Sequence, residues 1–569
     1  MRKSYIYIIG VMLVLPWGVS AQVQPNDTTL TRTVVVENEY TPNILDAQKI
    51  NVLPKVEPLQ SSQKQVEYAT ALSAYNNLPT SIMPVLAGVD KPNVALPGYV
   101  RFGLGLPGNI DFLGNYHYTI SEQDEVNLSA LFNGTKGDRT NEDGYIWEGA
   151  RYYQTRAGVD YTHTFDRSKL DLGAHLGVSN FNLVQNYWGG KQNLTSGDLH
   201  FGYRSSDDNQ SLIYNVESNL TMYKRGHDIN IENLSETGLM TRGNFLAPLE
   251  NQQSVGIGFL LDNFFYGGTY NNGEKFKGNH FLDLNPYYVY DNNGWKFHLG
   301  AHVGYNFGVQ KKFRVAPDVL AEYRIDDHYL FYAHATGGHL ASDLRRLEQL
   351  NPYGQLSSYT QPLNTYEQAN IHLGVKGTPN IGLGINVFAG FQTLKDDAGF
   401  AAEFLDSEEL DANDRTPSSS GWYWNNYGIR LYQANTHNLY GGAAVDYDYQ
   451  GIVALHLNAV LRSWGYDKEN WRAENLVSFK PVLEGDAYVT ARPMVGLPVT
   501  LGYQFITRKG TDTYKPKAMG NLYLNASYQV YKELSVYARI NNIFNQKYQY
   551  FSGIPAQGIN FVGGISYCF

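Results

Sequence analysis

The chain has 569 residues and a net charge of -10, because 44 lysines and arginines stand against 54 aspartates and glutamates. This balance argues against nucleic-acid binding, which needs a concentrated basic surface. The one cysteine, Cys568, leaves no disulfide framework and no cysteine-ligated metal site.

The first 21 residues have the pattern of a secretory signal peptide. A basic start precedes an apolar run from Tyr5 to Leu15, and small residues at 19–21 precede Gln22. We therefore expect residues 1–21 to be removed and the mature chain to begin at Gln22. Because Gln22 is not a cysteine, a lipid-anchored lipoprotein is not expected. The apolar run is also too short for a helix that spans a membrane.

Residues 22–96 differ from the rest of the chain. They are polar, poor in glycine and without sustained alternation, and several prolines interrupt them. A short β-prone island within them consists of Thr33, Val34, Val35, Val36 and Glu37. This composition predicts an extended N-terminal segment, which we expect to lie in the periplasm.

Residues 97–569 show the alternation of a transmembrane β-barrel. The clearest strand places Trp295, Phe297, Leu299, Ala301, Val303, Tyr305 and Phe307 on one face and Lys296, His298, Gly300, His302, Gly304 and Asn306 on the other. The first face suits lipid and the second suits a polar lumen. A mean hydropathy of -0.37, with 45 tyrosines and 56 glycines, fits such a barrel better than a helical membrane protein.

Turns and loops between the strands predict the size of this all-β, antiparallel barrel. Short turns are expected near 122–124, 166–168, 207–210, 291–294, 326–328, 450–451, 496–498 and 532–533. Long extracellular loops are expected at 134–150, 181–197, 224–250, 340–365, 395–435, 464–475, 509–519 and 542–558. Strands of about ten residues between them give about 22 strands. The region 250–280 admits one strand or two, and 18 or 20 strands remain alternatives.

The last strand carries a predicted barrel-assembly signal. From Ile559 the sequence alternates to its end, and Phe561, Ile565, Tyr567 and Phe569 share the apolar face. A terminal aromatic residue after such a strand is typical of an outer-membrane barrel. The competing interpretation is a half-buried strand of a soluble protein.

The stretch before this strand resembles a known family. Residues 534–548 read LSVYARINNIFNQKY, so that a strand ends in Asn-hydrophobic-Phe-Asn. This resembles the C-terminal end of TonB-dependent outer-membrane receptors, over the region 98–569. The resemblance implies location in the outer membrane of a Gram-negative bacterium after secretory export. Its implied partners are outer-membrane lipid and the outer-membrane assembly machinery.

The chain departs from this family in its N-terminal part. Family members carry a folded plug domain before the barrel, and the segment 22–96 is too short for one. The chain therefore resembles a plugless relative of the receptor barrel. Thr33–Glu37 also resembles a TonB box, through which TonB would pair by strand addition. The alternative is a plain extended strand or a docking strand for another partner, such as a surface lipoprotein.

One loop is the predicted site of recognition or closure. The stretch 395–437 carries Trp422, Tyr423, Trp424 and Tyr427, whose rings would stack on a sugar, anchor a partner or pack against the loop itself. It also carries an acidic cluster that would bind Ca²⁺ or stay solvated, although its spacing is not that of an EF-hand. A lumen of this width needs filling by loops, by the segment 22–96 or by another protein.

No catalytic, cofactor-binding or metal-binding residue is expected, since the motifs of esterases, zinc proteases and nucleotide-binding loops are missing from the sequence. The predicted function is uptake or passage of a solute across the outer membrane by a barrel of the TonB-dependent receptor type. The alternative is a non-transporting barrel subunit of an outer-membrane assembly, export or surface-lipoprotein complex.

Overall fold

The computed structural model describes residues 96–569, except 143, 145, 184–189, 207–210, 227, 229–230, 271–272, 293, 327, 357–360, 403–428, 468–470 and 512–514. The predicted boundary between the extended segment and the barrel, at residue 97, lies at the start of the described part. The segment Thr33–Glu37 and the aromatic residues 422–427 lie outside the described residues.

The described residues form 24 strands and two short helices. The strands are β1 (Gly98–Leu106), β2 (Asn109–Thr119), β3 (Asp124–Thr140), β4 (Ile146–Thr164), β5 (Ser168–Asn182), β6 (Lys191–Ser205), β7 (Ile213–Arg225), β8 (Ile231–Pro248), β9 (Gln253–Tyr270), β10 (Asn279–Asn292), β11 (Trp295–Gly308), β12 (Lys312–Arg324), β13 (Tyr329–Leu340), β14 (Thr365–Asn380), β15 (Leu383–Ala402), β16 (Ile429–Tyr449), β17 (Val453–Tyr466), β18 (Pro481–Met494), β19 (Leu497–Arg508), β20 (Met519–Tyr531), β21 (Leu534–Asn541), β22 (Gln549–Phe551), β23 (Ile554–Pro555) and β24 (Asn560–Cys568). The helices are α1 (Leu344–Leu350) and α2 (Trp471–Ser478).

Twenty-two of these strands close into one antiparallel barrel. Strands β1 to β21 pair with their sequence neighbours, and β24 closes the ring between β21 and β1. At the closure Tyr99 lies opposite Cys568 and Leu106 lies opposite Phe561. The prediction of 22 strands is confirmed, and the alternatives of 18 or 20 are wrong. A single strand, β9, fills the ambiguous region before β10.

The two ends of the barrel differ. At one end, which we name the turn end, ten connections of two to seven residues join the strands. Both termini of the barrel also lie at this end, where the Gly98 amide donates to the Phe569 carbonyl at 2.8 Å. Seven of the eight predicted turns coincide with connections between strands at this end, and the eighth, 207–210, lies outside the described residues. Two further turns at this end, 249–252 and 381–382, were not predicted.

At the other end, here the loop end, four of the eight predicted long loops overlap strands extensively. Much of 134–150, 181–197, 224–250 and 395–435 belongs to strands, because barrel strands run to 21 residues in β16. A tilted strand crosses a bilayer in about ten residues. Apolar side chains remain exposed down to the tight turns, as at Ile381 and Val495, so the surplus strand length lies beyond the bilayer at the loop end.

An apolar belt covers the outside of the barrel. Large aliphatic and aromatic side chains are exposed all around it, among them Leu104, Leu176, Leu284, Leu439 and Ile565. A water-soluble protein rarely exposes a continuous apolar surface of this extent, whereas a membrane-spanning barrel must. The predicted alternation of β11 is confirmed, since Leu299 and Val303 are exposed.

The inner wall is polar and rich in ion pairs. In β11 His298 lies 2.8 Å from Asp318, and His302 lies 2.6 Å from Asp283. Near the barrel closure Arg101 donates to Asp111 at 3.0 Å. These pairs satisfy charges that face the lumen between strands whose outer faces contact lipid. Within the described residues, no helix is long and apolar enough to cross a membrane.

Candidate functional site: a cap of inward-folded loops

The loop end of the lumen is filled by three connections that fold inward. We name the described residues of 341–364, 467–480 and 542–559 the cap. They contain α1, α2 and the β22–β23 hairpin. Together with the upper ends of the strands they form the main apolar core of the described chain. Of the three ways of filling the lumen that the sequence left open, this part of the structure shows inward-folded loops.

Tyr353 lies at the centre of the cap. Its ring packs edge-on against Phe181 of β5, with the ring centres 4.8 Å apart, and lies 6.0 Å from Trp147 of β4. Phe551 of the β22–β23 hairpin lies 6.2 Å away on the cap side. One tyrosine thereby joins the first cap loop, the barrel wall and the last cap loop. Such aromatic pairs each contribute about 0.5–1.5 kcal/mol beyond their area.

Helix α1 is short and is defined by its ends and its apolar face. The Asp343 carboxylate caps it by accepting from the Arg346 amide at 3.3 Å. Leu344 and Leu347, three residues apart, are buried in the core. A seven-residue helix is unstable alone, so burial of this face against the wall stabilises it.

Two wall side chains hold the start and the middle of the first cap loop. Glu236 of β8 accepts from the Leu344 amide at 2.8 Å. Arg225 of β7 donates to the Gly354 carbonyl at 2.5 Å. These bonds satisfy backbone groups that the loop would otherwise bury unpaired. A hydrogen bond to a charged group contributes about 1.5–3 kcal/mol.

Two further contacts fasten the same loop to the wall. Arg345 forms an ion pair with Asp198 of β6. The side-chain amides of Asn364 and Asn279 of β10 exchange hydrogen bonds at 2.6 and 2.9 Å. The loop 341–364 is therefore anchored to strands β6 to β10, which lie three to seven strands away from β13, where the loop begins.

Burial shifts the pKa values of the charged groups on α1. It raises the pKa of Glu348, and the nearby arginines Arg156, Arg225 and Arg345 only partly offset this. Burial lowers the pKa of Arg346, which Asp397 and Asp343 only partly offset. An arginine stays protonated at any physiological pH, so Arg346 keeps its positive charge inside the cap.

The second cap loop fastens to the long β15–β16 hairpin. Ala473 and Leu476 of α2 pack against Ala401 and Tyr432. At the end of this loop, the Lys480 ammonium pairs with Asp397 of β15. The same ammonium lies 4.2 Å above the ring of Trp464 in β17. Apolar and ionic contacts thus fix α2 on the wall.

The third cap loop is held through its backbone. Arg508 of β19 donates to the Tyr550 carbonyl at 3.0 Å. Asn542 ties the loop to itself, because its amide donates to the carbonyls of Gln546 and Gln557 at 3.0 and 3.1 Å. Burial raises the pKa of Tyr548 to about 12, so this phenol stays neutral.

Two cavities lie between the cap and the wall. The smaller has a volume of about 150 Å³ and lies beside the barrel closure, where Arg101, Arg539 and many side-chain amides line it. The larger has a volume of about 300 Å³ and lies below α1 and α2, against strands β13 to β17. Both are bounded by cap residues, so each would change shape if the cap moved.

The predicted site residues fall into two groups. Phe561, Ile565, Tyr567 and Phe569 are exposed on the outer face of the barrel, as the alternation required. Their role in assembly stays a prediction. The structure describes neither Thr33–Glu37 nor the aromatic residues 422–427, so these remain expectations as well. Among the described residues no group of three or more potential metal ligands was found.

Sequence reasoning missed the cap residues themselves. Tyr353, Arg345 and Arg346 lie in the predicted loop 340–365, which was not examined for a helix. One signal was present, since Asp343 is a capping residue and is followed by leucines at 344, 347 and 350. No local signal identifies the wall residues that bind the first cap loop, because Glu236 and Arg225 lie more than a hundred positions from the loop residues that they contact.

Comparison with protein-family models and with curated proteins gave no match. Solved structures did match. The copper transporter OprC shares 12% identity and a TM-score of 0.61, covering 83% of this chain and 80% of its own. The FrpB iron transporter from Neisseria meningitidis shares 12% identity and a TM-score of 0.63, covering 85% and 82%.

A third match is the ferripyoverdine receptor of the outer membrane of Pseudomonas aeruginosa, with 12% identity, a TM-score of 0.59 and coverage of 84% and 72%. The chain shares the barrel fold of these proteins. The resemblance seen at the C-terminal strands is therefore confirmed for the fold of the whole described barrel. Identity this low carries no residue roles from those proteins to this one.

Proposed function

We propose that this protein is an outer-membrane barrel through which a solute passes, and that the cap is its gate. The closed barrel, its apolar belt and its polar lumen support a pathway across a membrane. The structural neighbours are transporters and receptors by name, including a receptor of the outer membrane.

The orientation follows from the two ends of the barrel. In outer-membrane barrels short turns face the periplasm and longer loops face the exterior. The turn end, with both termini of the barrel, is then periplasmic, and the cap lies on the extracellular side. A solute arriving from outside meets the cap before it reaches the lumen.

The single observation that carries the proposal is the position of the cap inside the lumen. A barrel of 22 strands encloses a lumen wide enough to require filling. Tyr353 and Phe551 lie buried across this lumen, in contact with wall residues. Passage therefore requires displacement of the cap, and a ligand that binds better to the displaced form would open it.

The N-terminal segment 22–96 would act at the opposite end. We propose that Thr33–Glu37 is a docking strand for TonB or for a surface lipoprotein, by strand addition. The aromatic residues Trp422, Tyr423, Trp424 and Tyr427 stay candidates for the first contact with a ligand or partner, since their loop joins the long β15–β16 hairpin at the loop end.

A second candidate function is supported by one property of the cap. Its core is apolar and buried, which makes opening costly. A barrel that never opens would serve as a scaffold subunit of an assembly, export or surface-lipoprotein complex. In that case the cap would be a permanent seal.

Single-channel conductance in planar bilayers separates the two. The mature chain is compared with a variant in which 342–363 is replaced by a short Gly-Ser linker, and with a variant that lacks 23–95. We expect the mature chain to conduct rarely and the linker variant to form large, stable pores. A double variant combines the linker with the deletion of 23–95. If the linker variant and this double variant are both silent although folded, the gate is refuted and the scaffold is favoured.

A further inference from the structure

The larger cavity contains a charged group that the described protein does not neutralise directly. Three cationic side chains line it, Arg346, Arg462 and Lys480, against one carboxylate, Asp397. Lys480 pairs with Asp397, and Arg462 pairs with Glu484, which lies behind the cavity lining. Arg346 forms no ion pair within 4 Å with any described residue. Asp397 and Asp343 act on its charge only at longer range and offset its burial only in part.

The hydrogen bonds of Arg346 use only one edge of its guanidinium. Nη1 donates to the Ala341 carbonyl at 3.3 Å, the Ser342 hydroxyl at 3.0 Å and the Thr365 hydroxyl at 3.3 Å. Nε and Nη2 donate to no described residue and are not among the fully buried atoms without partners. The Nε–Nη2 edge is therefore accessible from the cavity that Arg346 lines.

This edge has the geometry that binds an oxyanion. The Nε and Nη2 hydrogens point in parallel and form the two-pronged fork that a carboxylate or phosphate accepts. Nη1 shares its two hydrogens among these three acceptors and so fixes the fork in place before any ligand arrives, which lowers the entropic cost of binding. Burial strengthens the attraction, because Asp397 and Asp343 offset the cost of burying this cation only in part and an anion at the fork would offset more of it.

The rest of the lining limits the size and chemistry of the ligand. A volume of about 300 Å³ suits a solute of the size of a monosaccharide. Trp464, Phe479 and Tyr550 offer aromatic surface, whereas the amides Asn370 and Gln392 are engaged with other side chains. Asn370 accepts from Tyr440 at 2.6 Å, and Gln392 donates to Glu367 at 2.5 Å.

We propose that this cavity is a binding site for a small solute that carries one carboxylate or phosphate group, held by the Nε–Nη2 edge of Arg346. The site joins α1 of the first cap loop, the second cap loop and the wall strands β15 to β17, so a bound anion contacts parts that separate when the cap opens. This inference deepens the proposed function by giving the cap a ligand class, and its role in gating rests on that function.

Isothermal titration of the mature chain in detergent micelles tests the site. The probes are glucuronate, glucose 6-phosphate and glucose, which share a ring and differ in the oxyanion. We expect saturable binding of one or both anionic sugars and none of glucose. Binding of glucuronate alone assigns a carboxylate ligand, and binding of glucose 6-phosphate alone assigns a phosphate ligand. No saturable binding of either anion overturns the inference.

Three variants sharpen the result. Arg346→Gln removes the fork and should weaken binding at least tenfold, while Arg346→Lys keeps the charge and should bind with intermediate affinity. Arg492→Gln is the matched control, since this exposed arginine at the turn end also loses one positive charge and should bind as the wild type does. Equal affinity of Arg346→Gln and wild type would refute the site.

A measurement on the unaltered protein covers the case in which Arg346→Gln fails to fold. Hydrogen exchange of the amides in 344–351 should slow when the anionic sugar is added and should not change with glucose. Unchanged exchange under saturating anion would also contradict the proposal. If no anion binds, the conductance result for the linker variant still stands, so the binding site and the gate are tested separately.

Discussion

Tyr353 illustrates how one side chain closes a wide lumen. It is almost fully buried and contacts two wall strands and the last cap loop. A tyrosine in a loop has no periodic pattern, so the sequence did not distinguish it from the other 44 tyrosines. Only its neighbours in space assign it to the cap.

Replacement of Tyr353 by Ala should loosen the cap and leave the barrel intact. Removal of a buried aromatic side chain costs about 3–5 kcal/mol. Here the cost lowers the free energy needed to open the cap and not the free energy of unfolding of the barrel. We expect faster hydrogen exchange in 344–356 and more frequent opening in bilayers. Tyr528→Ala on the exposed outer face is the control. Unchanged exchange in the Tyr353 variant would argue against a cap centred on this ring.

The burial of Glu348 predicts that the cap is sensitive to pH. Because burial raises its pKa in the folded state, the folded cap binds its proton more tightly than the open cap does. The resulting stabilisation is complete below the open-state pKa and is lost as the pH rises through the folded-state pKa. The arginines Arg156, Arg225 and Arg345 reduce this effect without reversing its sign.

We therefore expect the wild-type cap to open more often at pH 7.5 than at pH 4.5, measured as open probability in bilayers. Glu348→Gln should flatten this dependence, because glutamine stays neutral at both values. Asp291→Asn at the turn end is a matched control and should keep the wild-type profile. If the Glu348→Gln variant had the same pH profile as the wild type, Glu348 would not be the group responsible for the pH dependence.

At the scale of elements, β24 is the strand that the sequence described best. Its alternation predicted the outer face correctly, and its register with β1 places Cys568 opposite Tyr99. The terminal ring of Phe569 stacks on Tyr116 with ring centres 5.8 Å apart. It also covers Gly98, where an added Cβ would lie 2.4 Å from the ring.

Phe569→Ser should lower the yield of folded barrel in the membrane. The substitution removes the ring that covers Gly98 and the last apolar residue of the predicted assembly signal. The measurement is the heat-modifiable fraction in cold gel electrophoresis of membrane extracts. Cys568→Ser, on the opposite face of the same strand, should leave that fraction unchanged. Equal yields of folded barrel for the Phe569→Ser and Cys568→Ser variants would show that Phe569 is not part of the assembly signal.

The two helices were not predicted, and the reason is physical. Helix α1 has seven residues and α2 has eight, which is too short for a helical pattern to persist or for either helix to be stable alone. They form because their leucine and alanine side chains are buried against the barrel wall. Strand lengths were also underestimated, since the bilayer sets only a minimum and paired strands continue beyond it.

At the scale of the whole molecule, the barrel and the N-terminal segment should be separable. Each barrel strand carries its own alternation and pairs with a neighbour in sequence, so folding information lies within 97–569. Deletion of residues 30–60 should leave insertion and heat-modifiable migration as in the wild type. Loss of that migration in the deletion variant would show that the segment takes part in barrel folding.

The sequence by itself determined the barrel: its closure, its 22 strands and the lipid face of each strand whose alternation was resolved. This was possible because a two-residue period reports directly which side of a strand meets lipid. The tertiary structure alone decided how the lumen is closed. The cap depends on contacts such as Glu236 with Leu344 and Arg225 with Gly354, which join residues far apart in the chain and leave no local pattern.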